Sequence, residues 1–177
     1  PLESDEVAVV LATSGSTGSP RGVLLPAEAL MAPTPAVQGG ASPQWIVALP
    51  VSSAGGMNVL VRSLDAGRSP VVLPSVGGAE PFTTSAFASA VNLATARTRD
   101  VRVSVVPAQV ARILADPAAI EALAACSQVL VGGGPLRPSA VSSNCAGLGH
   151  LLQPGLAAAP ALRAARERDL LAAGMGD

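Results

Sequence analysis

The chain has 177 residues, enough for one domain with a sizeable core. Hydrophobic residues make up 49% and charged residues 13%, which excludes a disordered chain rich in charge and poor in aliphatics. The net charge of −1 leaves no electrostatic footprint for nucleic acid or an anionic membrane. Every basic residue is Arg, so no Lys is available to any mechanism. Phe82, Phe87 and Trp45 are the aromatics, few anchors for stacking a ligand. Cys126 and Cys145 are too few and too irregular for a disulfide framework or a metal cluster, and read as free thiols in a reducing compartment. No apolar run reaches the ~18 residues of a membrane span. The start, PLESDEV, lacks Met and the pattern of a signal peptide. The expectation is a cytoplasmic protein, and a fragment whose true start lies upstream.

In chain order, Val7–Ala12 is a short continuous apolar run of the kind that forms buried parallel strands. A Ser/Thr/Gly loop, Thr13–Gly22, follows, and Val23–Leu25 reads as a second strand. A helix starts at Pro26, and Pro33 and Pro35 keep it short. Trp45–Leu49 is a strand, Ser52–Gly56 a small-residue loop, and Met57–Leu64 a helix capped by Gly67. Val71–Leu73 is a strand, Phe82–Ala96 a helix, and Val101–Val106 a strand. Pro107–Leu114 is a Pro-initiated helix that Ile120–Ala125 continues, and Gln128–Val131 is a strand running into Gly132-Gly133-Gly134-Pro135. Strands alternating with helices predict an α/β fold with a mixed, largely parallel sheet flanked by helices. Beyond Ser139 the composition turns to Ala, Leu, Gly, Pro and Arg, without a clear strand. Ala161–Ala173 there reads as one amphipathic helix with Arg163, Arg166 and Arg168 on its polar side, and the single His, His150, lies in the same tail.

The segment Thr13-Ser-Gly-Ser-Thr-Gly-Ser-Pro-Arg-Gly-Val23 carries the chemistry. It offers the hydroxyls of Ser14, Ser16, Thr17 and Ser19 and many unhindered backbone N–H groups. Gly15 and Gly18 let the backbone approach a ligand, and successive amides form an anion-binding nest. Arg21 adds a fixed charge and a planar fork suited to phosphate oxygens. Read from composition alone, the same stretch is equally a flexible Ser/Gly turn. It is not a Walker A loop, because Pro20 stands where that motif needs its second Gly.

TSGSTGSPRGV resembles the signature Thr-Ser-Gly-Ser/Thr-Thr-Gly-x-Pro-Lys-Gly-Val of the adenylate-forming enzymes, with Arg21 in place of the usual Lys. Three further stretches follow in that family's order: Val47–Met57 with the Asn58–Leu64 run, Val103–Gln109, and Val129–Leu136. The Val-Leu-Val-Arg-Ser and Gly-Gly-Gly-Pro versions resemble the actinobacterial o-succinylbenzoate–CoA ligases of menaquinone synthesis. The resemblance divides the chain into residues 1–138, part of an AMP-binding domain, and 139–177, a divergent tail, with the C-terminal lid domain absent.

The resemblance implies an ATP-dependent carboxylate–CoA ligase that forms an acyl-adenylate, with a small carboxylic acid, ATP and CoA as partners. It implies Thr13, Ser14, Gly15, Ser16, Thr17, Gly18 and Arg21 at the ATP phosphates, with Arg21 as the catalytic residue. Gly132, Gly133, Gly134 and Pro135 would wall the adenine and acyl pocket, and Ser53, Gly56 and Gln109 would lie nearer the acid. Mg2+ is the family's metal, yet the acidic residue that holds it is missing. Pro154-Gly-Leu-Ala-Ala-Ala159 stands where Tyr-Gly-x-Thr/Ser-Glu belongs. No metal ligand is therefore assigned, and Ser53 replaces a His of the acyl pocket. The alternative expectation is a non-catalytic remnant or nucleotide-binding module associating with an intact ligase. A homo-oligomer is compatible with either, and neither nucleic acid nor a membrane is expected as a partner.

Overall fold

The computed structural model describes residues 7–13, 21–32, 34–39, 41–134 and 152–154. Its first elements form an antiparallel ribbon: β1 (Val9–Thr13) pairs with β2 (Arg21–Leu25), with Thr13 opposite Arg21 and Val10 opposite Leu24. This corrects the expectation of a buried parallel strand at the start of the chain. An apolar run of that length is equally compatible with a ribbon whose second strand lies just ahead. Pairing along the chain leaves Val10 47% and Leu24 59% exposed on one face, while Leu11 on the other is buried.

Two single-and-a-half-turn helices follow, α1 (Ala27–Met31) after the extended Pro26, and α2 (Thr34–Gln38), ended by Gly39 at φ +59°. They are short for the reason the prolines predict. The remaining elements alternate: β3 (Gln44–Val47), α3 (Ala54–Asp65), β4 (Val71–Val72), a 3-10 turn (Pro74–Gly77), α4 (Thr84–Thr95), β5 (Val101–Val105), α5 (Pro107–Leu114), α6 (Pro117–Ala124), β6 (Gln128–Val131) and β7 (Leu152–Pro154). Helix α3 begins three residues earlier than its apolar run, because the Ser53 side chain caps it and helical geometry then extends through Ala54, Gly55 and Gly56. It ends as expected. Gly67 (φ +67°) donates to the Leu64 carbonyl and Arg68 to the Ser63 carbonyl, a Schellman motif. Asp116 and Pro117 start α6 as a helix of its own rather than a continuation of α5.

The five strands β4-β3-β5-β6-β7 are all parallel, with Ile46 beside Val71 and Val103, Val103 beside Val129, and Val129 beside Leu152. In order of appearance this is 2-1-3-4-5, a doubly wound sheet whose direction of travel reverses between β3 and β5. Strand β7 falls within the stretch read as lacking a clear strand; Pro154 occupies its last position, at the sheet margin where a missing N–H is tolerated. The readings for Ala161–Ala173, for His150 and for Cys145 lie outside the described residues.

Alternation along the strands builds two cores. Ile46, Val101, Val103, Val105, Val129 and Val131 face α4, α5 and α6 through Phe87, Val91, Val110, Ile113 and Leu123, all buried. Trp45, Val47 and Leu130 face the other way, against Val37 of α2 and Val59 of α3. Helix α3 thus covers one face and α4–α6 the other, as right-handed crossovers require once the winding reverses. Removing one of these large apolar side chains from water contributes about 1.5–3 kcal/mol. Among the described residues, no helix is long and apolar enough to cross a membrane.

Candidate functional site

In doubly wound sheets, ligands sit beyond the carboxyl ends of the strands, where the winding reverses. Here that point lies between the loops after β3 and β5, with the loop after β6 adjoining. Ser53, Gly56, Gln109 and Gly132–Gly134 were assigned from the sequence to different motifs, and the fold brings all of them to this edge.

The loop after β3 is held by its own backbone. Ser53 directs both its N–H (2.9 Å) and its hydroxyl (2.6 Å) to the Pro50 carbonyl, and its Oγ accepts from the Gly56 N–H at 3.1 Å. Ser53 is therefore the N-cap of α3, with both roles of its hydroxyl committed. Gly56 is required by packing. A Cβ there would lie 2.2 Å from the Pro50 oxygen and 2.6 Å from that of Leu49.

Gln109 stands in the first turn of α5. Its Nε2 donates to the Ala48 carbonyl at 2.8 Å and its Oε1 accepts from the Val106 N–H at 3.0 Å. The side chain is buried, so it spans the switch point with both ends of the amide engaged by backbone. After β6, Gly132 donates to the Val105 carbonyl at 3.1 Å. Gly133 adopts φ +78°, a left-handed conformation natural to glycine, and a Cβ there would meet Val106 Cγ1 at 3.2 Å. Gly134 lies over the Pro107 ring, and both Gly133 and Gly134 are exposed. The three stretches Ala48–Gly56, Val106–Gln109 and Gly132–Gly134 contain no ionisable side chain. This edge is built from amides, carbonyls and glycines, and it can hold a ligand by shape and hydrogen bonds. It offers a hard divalent cation no carboxylate. Among the described residues, no cluster of three or more His, Cys, Asp or Glu could hold a metal.

Of the phosphate-loop candidates, Thr13 ends β1 and Arg21 begins β2, paired across the ribbon, so the loop's two ends are adjacent. Ser14, Gly15, Ser16, Thr17 and Gly18 lie outside the described residues, as do Pro135 and the Gly155–Ala159 segment.

The opposite, amino edge carries the charges, and sequence reasoning did not single it out. Arg102 at the start of β5 forms a two-pronged bond with Asp100 (Nε–Oδ1 2.9 Å, Nη2–Oδ2 2.8 Å) and also reaches the Val37 carbonyl and Gln128. Ser127 donates to Asp100 at 2.6 Å. The bond from Arg102, helped by that from Ser127, holds the Asp100 carboxyl below its ordinary value. These groups and Gln38 line a cavity of about 280 Å³. None of the described sequence candidates borders it, and its charged groups already satisfy one another, so it reads as a structural joint. Nearby, Trp45 Nε1 donates to Gln38 Oε1 at 3.0 Å, and Gln38 Nε2 to Asp65 at 2.6 Å. The Arg62 guanidinium packs over the Trp45 ring at 5.6 Å; its Nε and Nη2 are buried without partners, and burial lowers its pKa to about 10. Cys126 is buried too, its thiol pushed up to about 12, which makes it inert as a nucleophile.

The chain is 40% identical over 147 residues to the "Probable 2-succinylbenzoate--CoA ligase" of two Mycobacterium tuberculosis strains, covering 81% of this chain but 37% of that protein. The chain thus spans little more than a third of the length of these relatives. A solved malonyl-CoA ligase, in a ternary product complex with methylmalonyl-CoA and AMP, superposes with a TM-score of 0.61 at 26% identity, covering 76% of this chain and 29% of that one. The unliganded O-succinylbenzoate coenzyme A synthetase of Bacillus subtilis shares the fold at a TM-score of 0.55 and 23% identity, covering 77% and 26%. The family of AMP-binding enzymes matches residues 1–153, and with the 2-1-3-4-5 sheet and its glycine-lined carboxyl edge this identifies the chain as a member of the AMP-binding enzyme family.

Proposed function

We propose that this chain is the nucleotide- and acid-binding part of an ATP-dependent carboxylate–CoA ligase, of the o-succinylbenzoate type that serves menaquinone synthesis in the cytoplasm. The observation that carries it is the meeting of three motif-bearing loops at the switch point of the sheet, with Ser53 and Gly56, Gln109, and Gly132–Gly134 contributed by separate segments. The 40% identity to the mycobacterial ligases supports the substrate class.

In this reading the 14–20 loop, held between Thr13 and Arg21, cradles the ATP phosphates through its amides, and Arg21 neutralises the departing pyrophosphate. The Gly132–Pro135 loop walls the adenine. The acid, near the loop after β3, attacks the α-phosphate; a P–O bond forms to the carboxylate oxygen as the bond to pyrophosphate breaks. The thiol of CoA then attacks the acyl carbon, and AMP leaves. Such transfer relies on positioning and charge neutralisation. Mg2+ does not fit the residues at hand, for neither the described loops of this edge nor Ala157–Ala159 bears a carboxylate.

That absence, with the absence of any Lys, favours a second statement: residues 1–138 act as a partial AMP-binding domain, the 139–177 tail diverges from it, and these 177 residues alone do not complete ligation. Losing one preorganised charge-stabilising group lowers rates by ~10²–10³. The assay is pyrophosphate release with ATP, Mg2+, CoA and a panel of acids including o-succinylbenzoate, alongside calorimetric titration of ATP. Background turnover with measurable ATP binding is the expected result. Turnover near ~10 s⁻¹ overturns the statement of inactivity, and absence of any nucleotide binding overturns the site.

A further inference from the structure

Gln109 was read from the sequence as a group near the acid. Its geometry gives it different work. Both ends of its amide are bound to backbone, Nε2 to the Ala48 carbonyl and Oε1 to the Val106 N–H. Ala48 begins the loop after β3, and Val106 begins the loop after β5. Val106 is also the residue on which Gly133 rests, and the carbonyl of the preceding Val105 accepts from Gly132. One buried side chain therefore joins all three loops of the carboxyl edge, across the switch point where no β-ladder hydrogen bond continues. The loop after β3 has no slack of its own, because the Pro50 carbonyl is held by Ser53 and packed on Gly56. Whatever fixes Ala48 fixes the whole loop.

We infer that Gln109 is a positioning residue: it sets the separation of the loops after β3 and β5 and, through Val106, the seat of Gly132–Gly134, without contacting the ligand itself. The inference deepens the reading of this edge as the binding site, but its principal test needs no ligand.

The test is residue-resolved amide hydrogen exchange on the full 177-residue chain, comparing wild type with Gln109→Leu and Gln109→Glu. The Leu variant leaves the Ala48 carbonyl and Val106 N–H without partners. Exchange at Val106, Gly132 and Gly56 is expected to accelerate about ten-fold or more. Gln44 and Ser127, whose amides donate to Asp100 and Val101 at the amino edge, are expected to keep their protection. The Glu variant guards against a Leu variant that fails to fold. When protonated, its carboxyl donates to Ala48 and accepts from Val106 as the amide does; when ionised it has no proton to donate and places a charge beside a carbonyl. Its folded pKa is therefore raised above the ordinary ~4.3. Protection at the three sites is expected to be native-like below that ordinary value and to fall as pH rises through the folded pKa, with no such step in wild type. Equal loss of protection at both edges, or a Glu variant without the pH step, overturns the clamp. If the clamp holds and ATP still fails to bind wild type, the failure belongs to the site assignment instead.

Discussion

The two edges of the parallel sheet are made from opposite materials. The amino edge gathers Asp100, Arg102, Ser127 and Gln128, charged and polar side chains that hydrogen-bond one another, with Gln38 beside them bonded to Trp45 and Asp65. The carboxyl edge around the switch point has no charge in its described stretches, Ala48–Gly56, Val106–Gln109 and Gly132–Gly134, and is shaped by where glycine permits close approach and where backbone groups are pinned. A cluster of ionisable groups is commonly taken as the mark of a site. Here the cluster joins strand ends and the end of α2, while the edge without charge in its described loops is the one we propose as the binding site. The contrast follows from chemistry: a ligand bearing its own phosphates needs donors and room, and mutually neutralised charges offer neither.

That contrast can be tested from both sides. The largest effect is expected from Gly56→Ala. The added methyl would sit 2.2 Å from the Pro50 oxygen, against backbone that cannot rotate away. Denaturant unfolding should show a loss of about 3 kcal/mol, the upper range for overpacking, with ATP affinity falling as well. A variant of unchanged stability would mean that the loop after β3 is looser than its hydrogen bonds imply.

At the amino edge, Arg102→Met leaves Asp100, the Val37 carbonyl and Gln128 without their shared donor. About 2 kcal/mol of stability should go, less than for a fully buried pair because Asp100 is partly solvated. ATP affinity measured on the folded fraction should stay within two-fold. A large loss of affinity would break the division of labour between the edges.

The smallest effect concerns pH. The Asp100 carboxyl is depressed in the folded state, chiefly by its bond to Arg102, so its contribution is complete above the unfolded value of ~3.9 and is lost as pH falls through the lower folded value. Asp100→Asn should cost about 1 kcal/mol at neutral pH after screening, and should flatten the acid limb of the stability profile. An unchanged acid limb would place the acid sensitivity elsewhere.

The sequence was most legible where chain-local rules decide. Pro107 starting a periodic apolar stretch marks α5 to the residue, Gln128–Val131 is a strand as its composition predicts, and Gly67 closes α3. Legibility fails where partners are distant in sequence. The run from Val7 is equally apolar in a buried parallel strand and in a ribbon, and only the pairing of Val10 with Leu24 decides. Ala54-Gly55-Gly56 has loop composition, yet Ser53 caps a helix through it. The residues of the carboxyl edge could be listed from motifs, but the commitment of Gln109 to Ala48, 61 residues away, could not. The amino-edge network had no signal beyond Asp100 and Arg102 standing two apart at a strand start.

The 2-1-3-4-5 winding has a consequence in time. β1 and β2 are joined by a short connection and can pair within microseconds of meeting. β3 is different. Its longest partner is β5, with Gln44 set against Val101, and both α3 and α4 must be synthesised in between. Its other neighbour, β4, offers only Val71 and Val72. During synthesis or refolding, the Trp45-Ile46-Val47 strand therefore waits with one edge wholly open, and non-local parallel pairing of this kind is slow. Until Val101–Val105 arrives, that edge is open to pairing with another chain. The yield of folded protein should depend on concentration during that interval more than on final stability.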